Sequence, residues 1–175
     1  MVDLAERLAK RWMRGTREGK PVRPAWAHPQ DIVELLPLVP GSFDLDHQRA
    51  VGWLHDVLED GRMLDGSKVL VEDLRTEGVS SEVLTDVLAL SQGLEDKNTY
   101  LARLRWARLN AKVVKCVDRY VNLRDGSGTF KDPRWTRYVW ETHTYIIPLA
   151  ESLGSPTDLW LRDLLLEGIS LRSVR

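Results

Sequence analysis

The chain has 175 residues, a formal net charge of −1 and a single cysteine, Cys116. That length suits one domain, 1–175, with a real hydrophobic core, and the near-neutral charge excludes a global field that would draw nucleic acid or an anionic membrane. The lone cysteine excludes an internal disulfide and a cysteine-based zinc site, and it suits a reducing cytosol. The first stretch, MVDLAERLAKRWMRG, alternates charged and apolar residues, so it reads as neither signal peptide nor membrane span. No later run approaches about 18 uninterrupted apolar residues, and the expected location is cytoplasmic.

Nearly every periodic segment has the helical spacing and none alternates cleanly for a strand, so the expected class is all-α, a bundle of about eight helices. Residues 2–13 form a first amphipathic helix with Leu4, Leu8 and Trp12 four apart, and Gly15–Trp26 is a loop rich in Gly, Pro and basic residues. His28 precedes Pro29, which suits the first turn of a helix running to Val39 and ended by Pro40-Gly41. Asp44 caps the next helix, whose stripe Val51, Leu54 and Leu58 continues to Asp60-Gly61. A short helix over Val69–Glu77 ends at Gly78, and Ser80 caps another reaching Ser91. Helices over Thr99–Leu109 and Ala111–Arg124 follow. After the turn Asp125–Lys131, Asp132-Pro133 opens a helix running to Leu153 and stopping at Gly154, and Ser155-Pro156 opens the last.

The chemistry concentrates in His55-Asp56-Val57-Leu58-Glu59-Asp60. Positions three and four apart share a helical face, so Glu59 lies one turn from His55 and Asp56, and Asp60 one turn from Asp56. Three carboxylates so close repel one another unless a cation compensates them. An adjacent His and Asp supply nitrogen and oxygen ligands, which suit Mn, Fe or Zn better than Ca or Mg. A second block, Lys115–Asp125, carries the apolar stripe Val113, Val114, Val117 and Val121, with Asp118 and Asn122 four apart at its edge. A carboxylate in that position is costly without a partner. His28 is a third candidate. Taken singly, each element has a plainer reading: a capping histidine, a surface His-Asp ion pair, a salt-bridged helix face.

In that order, His, then His-Asp, then Asp, the sequence resembles the HD superfamily of metal-dependent phosphohydrolases. HDVLED, with its acidic pair, is similar to the hydrolase domain of the RelA/SpoT-type alarmone enzymes, including the small single-domain alarmone hydrolases. VKCVDRYVNLRD (114–125) resembles that family's KLADRLHNMR-like block, and YIIPLAESLG (145–154) its YAPLAxRLG-like helix end. The resemblance spans Ala27 to Gly154. It implies an HD-domain helical bundle and removal of the 3′-pyrophosphate of guanosine tetra- or pentaphosphate, giving GDP or GTP. It also implies a divalent metal, Mn in the family with Fe or Zn as alternatives, held by His28, His55, Asp56 and Asp118. Glu59 and Asp60 match the acidic pair that orients or deprotonates the attacking water, and Asn122 an asparagine near the nucleotide ribose.

Phosphate charge needs cations to offset it, and Lys20, Arg23, Lys97, Arg103 and Arg124 are candidates, each also readable as a solvated surface residue. The sequence departs from the family before the first histidine. The family's basic pair and tyrosine are replaced by Arg17-Glu18-Gly19-Lys20-Pro21-Val22-Arg23-Pro24-Ala25, with Ala25 where the tyrosine stands. Trp135, Tyr138, Trp140 and Tyr145 read as core, one of them a possible stacking plane for a base, and His143 as a structural histidine. The competing readings are a phosphatase acting on NADPH or a (deoxy)nucleotide, a non-catalytic nucleotide-sensing module, and a purely structural bundle. The seven tryptophans leave a homo-oligomer open, since a subunit contact and core packing explain them equally.

Overall fold

In α1 (Val2–Trp12) the residues Ala5, Leu8, Ala9 and Trp12 are buried, spaced so that one face is sealed while Lys10 and Arg11 stay in solvent. The expected stripe shifts by one position, because Leu4 is only half-buried. The computed structural model describes residues 1–17, 22–41 and 44–172. Within the expected loop, Thr16–Arg17 (β1) and Arg23–Pro24 (β2) pair antiparallel. Lys20 lies outside the described residues.

α2 (Ala27–Leu35) continues as a 3-10 turn over Leu36–Leu38. α3 (Leu45–Leu54) starts as the sequence predicts, with Asp44 accepting a hydrogen bond from the His47 amide at 3.0 Å. α1 and α2 both pack on α3. Gly52 permits the close α2–α3 crossing, since a Cβ there would stand 3.2 Å from Val33 and 3.4 Å from Leu36. The predicted single helix 44–60 is interrupted: α4 (Val57–Asp60) begins only after a turn at His55-Asp56. The Gly52 carbonyl, which in an uninterrupted helix serves the Asp56 amide, accepts from His55 Nδ1 at 2.8 Å.

α5 (Val71–Thr76), α6 (Ser81–Leu90) and α7 (Lys97–Arg103) lead to α8 (Leu109–Gly126), the long central helix. α8 packs against α2, α3, α6 and, further on, α10 and α11. Val113, Val114, Cys116, Val117 and Val121 are fully buried there, and a helix covered on several sides must satisfy any polar group it carries internally. Lys115, Asp118 and Arg119 are such groups.

The helix predicted over 132–153 is also divided: α9 (Asp132–Glu141), a π-helical turn over Thr142–Ile146, then α10 (Ile147–Glu151). Pro148 has no N–H to give the preceding turn, and its ring crowds the carbonyl four residues back. A widened turn relieves both. α9 is a rim helix rather than a core helix, with Glu141 its one buried residue. Trp140 is 50% exposed, so the expected core role of that side chain is not what the fold gives it, and His143, expected to be a structural histidine, is exposed. α11 (Thr157–Ser170) closes the bundle on α8, with Gly168 seated against Tyr120 and Leu123. The predicted helices are all found, that over 44–60 interrupted at His55-Asp56 and that over 132–153 carrying a π-helical turn, and the architecture is an all-α bundle.

Candidate metal centre

Three elements that are distant in sequence bring their side chains to one point. His28 comes from the first turn of α2, His55 and Asp56 from the turn between α3 and α4, and Asp118 from the middle of α8. One ligand atom each from His28, His55 and Asp118 lies within 4.8 Å of the others. His28 Nε2 is 3.0 Å from Asp118 Oδ1, and His55 Nε2 is 3.7 Å from the same oxygen. Asp56 borders the group, its Oδ2 3.0 Å from His55 Nε2 and 3.8 Å from His28 Nε2.

The tautomer of His55 follows from its surroundings. A carbonyl only accepts, so the bond to Gly52 puts a proton on Nδ1 and leaves Nε2 facing the two carboxylates. That Nε2 is buried and makes no hydrogen bond in spite of its 3.0 Å approach to Asp56. A buried lone pair turned towards two carboxylates is unfavourable unless a cation sits between them. Two imidazole nitrogens and two carboxylates form a mixed donor set of the kind that holds Mn, Fe or Zn. The residues present therefore fit a divalent metal.

The titration behaviour tells the same story. Burial works against charge on His55, but the Asp56 and Asp118 carboxylates and the Gly52 carbonyl outweigh it and push its pKa up to about 9. Burial holds His28 low, against its bond to Asp118. Asp118 pays for burial too, yet Lys115 and the two histidines hold it well below the usual carboxylate range. Asp56 is brought down to about 2, again against burial, chiefly by His55. Asp60 goes the other way, raised by burial and by the nearby Asp56 charge.

Beside Asp56 and Asp118 lies a polar cavity of about 110 Å³, bordered by these two and by Glu59, Lys97, Lys115, Arg119 and Asn122 among others. Glu59 accepts a hydrogen bond from the Gln92 amide at 2.7 Å, which anchors it to the end of α6. Asp60 does not border the cavity. Asn122 donates to Asp118 Oδ1 at 2.6 Å and accepts from Arg17. Its amide thus holds the metal-site carboxylate in place. Arg23 makes a two-bond pair with Asp31 at 2.6 and 2.7 Å, and Arg124 reaches the same carboxylate at 2.5 Å. Burial resists ionisation of Asp31, but the two guanidiniums hold its pKa down. Arg103 holds Glu95 and the carbonyls of Ala89 and Ser91. Of the cations singled out from sequence, Lys97 borders the cavity, whereas Arg23, Arg103 and Arg124 are engaged in ion pairs outside it.

Sequence reasoning missed Lys115 and Arg119 as cavity residues. Lys115 Nζ sits 2.7 Å from Asp118 Oδ2, a pairing that the i, i+3 spacing on α8 makes available. Arg119 is buried against Glu141 at 3.2 Å and lies 3.9 Å from the centre of the Tyr138 ring. No local pattern announces that pair, since its partner comes from α9.

No family model and no curated protein matches the sequence. Among solved structures, the chain is similar to a metazoan ortholog of SpoT that hydrolyses ppGpp and plays a role in starvation responses. The TM-score is 0.76 at 18% identity, over 99% of this chain and 96% of that one. The likeness runs end to end and establishes the fold.

Proposed function

We propose that this chain is a metal-dependent phosphohydrolase that removes the 3′-pyrophosphate from guanosine tetra- or pentaphosphate, releasing pyrophosphate and GDP or GTP. The observation that carries the reading is the convergence of His28, His55 and Asp118, bordered by Asp56, on one buried point. It is supported by the end-to-end likeness to a ppGpp hydrolase and by the HDVLED and DRYVNLRD blocks.

His28, His55, Asp56 and Asp118 hold the metal, which we take to be manganese. Such an ion supplies Lewis acidity and lowers the pKa of water towards neutrality, to roughly 7 in favourable zinc cases. Lys115 and Asn122 fix the rotamer of Asp118 through its two oxygens, the kind of outer support that orients a ligand. Glu59 borders the same cavity as Asp56 and Asp118, and its anchor on the Gln92 amide leaves one carboxylate oxygen to receive a proton from the attacking water. Asp60, outside the cavity and raised in pKa by burial and by the Asp56 charge, is the second member of the acidic pair. Lys97, Lys115 and Arg119 line the wall where phosphate charge needs compensation. Asn122, which also borders the cavity, keeps its place near the nucleotide while its amide holds Asp118 and accepts from Arg17.

The test is pyrophosphate release from guanosine tetraphosphate by manganese-loaded protein, run beside phosphate release from NADPH and from deoxynucleoside monophosphates. The proposal expects turnover of the first substrate well above the others. Preference for NADPH or a monophosphate would replace the alarmone reading with another phosphatase on the same metal. No hydrolysis of any of them would leave a nucleotide-binding module.

A further inference from the structure

Tyr100 of α7 is 2% exposed and borders the cavity beside the metal centre together with Lys97 and Lys115. Lys97 Nζ stands 5.3 Å from the centre of its ring, and Lys115 Nζ 5.5 Å. The ring itself is anchored. Its hydroxyl donates to the Leu90 carbonyl at the end of α6, and the Arg103 guanidinium lies 5.4 Å from the ring centre. Arg103 in turn ties α7 to that end of α6 through the carbonyls of Ala89 and Ser91. The two lysines differ in what else holds them. Lys115 pairs with Asp118 at 2.7 Å, whereas Lys97 has no ion-pair partner among the described residues. Burial lowers the pKa of Lys97, and Lys115 and Arg119 lower it further, so like charges crowd this wall. An aromatic face attracts an ammonium group within about 6 Å of its centre, which offsets that repulsion. A lysine already held has less side-chain freedom to lose when it grips an anion.

We propose that Tyr100 is a positioning residue for phosphate, its ring holding the ammonium groups of Lys97 and Lys115 at the cavity wall. The inference rests on the proposed function, which gives these two lysines the phosphate charge. Tyr100 acts through them, by the electron-rich face of its ring, while the bond from its hydroxyl to Leu90 keeps that ring in place. A buried tyrosine that served packing alone would do so whatever the charge distribution over its ring. That difference separates the two roles.

The experiment compares wild type, Tyr100→Phe and protein carrying pentafluorophenylalanine at position 100. Fluorination keeps the ring and nearly its shape but reverses the charge of its face, so packing is retained and the attraction for ammonium is lost. Circular dichroism and metal content check that fold and centre are kept. The probe is inorganic pyrophosphate, titrated calorimetrically at one fixed free manganese concentration. Tyr100→Phe should bind it within about twofold of wild type, and the fluorinated protein about fivefold or more weakly. Equal affinity in the Phe and fluorinated proteins would overturn the inference, as would wild type that binds no pyrophosphate. Loss of metal from the fluorinated protein would place the effect at the ligands and would also overturn it. In turnover of the tetraphosphate, the fluorinated ring should raise KM over the Phe variant with kcat within about twofold. A fall in kcat at unchanged KM would contradict a role in holding phosphate. Failure of wild type to cleave the tetraphosphate overturns the proposed function alone, since the titration still decides whether the ring positions the lysines for phosphate.

Discussion

The ring of His55 is fixed by its own helix: Nδ1 donates to the Gly52 carbonyl and Nε2 is turned to Asp56 and Asp118. Without a metal, a proton serves as the cation there, and the carboxylates raise the His55 pKa to about 9. A raised folded value means that this contribution to stability is complete below the unfolded value of about 6.5 and is lost as pH rises through about 9. Asp56 behaves in the opposite sense. Its contribution is complete above the unfolded value near 4 and is lost as pH falls through about 2. Because a metal requires the neutral imidazole, manganese binding near pH 7.5 should release about one proton. Calorimetry in buffers of differing ionisation enthalpy reads that number directly, and no release would contradict the His55 assignment. Glu59→Gln should lower kcat by roughly 10²–10⁴-fold while metal content stays at the wild-type level. Loss of metal in that variant would make Glu59 a ligand instead of a base. His28, His55 and Asp118, which the fold groups, were legible in the sequence because their order along the chain resembles that of a known family, although only His55-Asp56 lie close together in it. Arg119 and Arg17 were not, because tertiary packing chose their partners, Glu141 and Asn122, whereas Lys115 pairs with Asp118 one turn along α8 and was overlooked in spite of that local spacing.

At the scale of elements, two breaks in predicted helices shape the site. The turn at His55-Asp56 has no sequence signal of the Pro or Gly kind, and it arises where a histidine side chain occupies a helical carbonyl. The widened turn at Thr142–Ile146 does have one, in Pro148, yet the periodicity of 132–153 reads through it. Trp140 was misjudged for a related reason. Aromatic residues at helical spacing usually mark a core face, but α9 is held to the bundle at one end by the Arg119–Glu141 pair and by Tyr138. Arg119→Met should therefore destabilise the fold by about 3–5 kcal/mol, because it leaves Glu141 buried without its cation. Arg119→Met combined with Glu141→Leu should recover much of that loss. Urea melts of the two variants give the comparison, and an additive double variant would contradict the pairing. Gly52→Leu should cost about 1–3 kcal/mol by overpacking against Val33 and Leu36. It should also weaken metal binding, since α2 carries His28 and α3 leads into His55.

For the whole molecule, the all-α class was readable from periodicity throughout. The way its helices meet was not, because contacts such as α2 on α3 depend on a single small residue. The metal centre joins α2, the α3–α4 turn and α8, so a bound ion ties together segments that otherwise meet only through packing. At a free metal concentration about 100 times its Kd, the ion should stabilise the fold by about 2.7 kcal/mol. For a chain of this size, chelation should then lower Tm by about 5–10 °C. Identical melting with and without chelator would mean that the centre holds no metal. The most direct measurement is anomalous diffraction from crystals grown with manganese. The account expects one peak, within about 2.0–2.3 Å of nitrogen or oxygen atoms of His28, His55, Asp56 and Asp118. A peak elsewhere, or none between these four side chains, would contradict it.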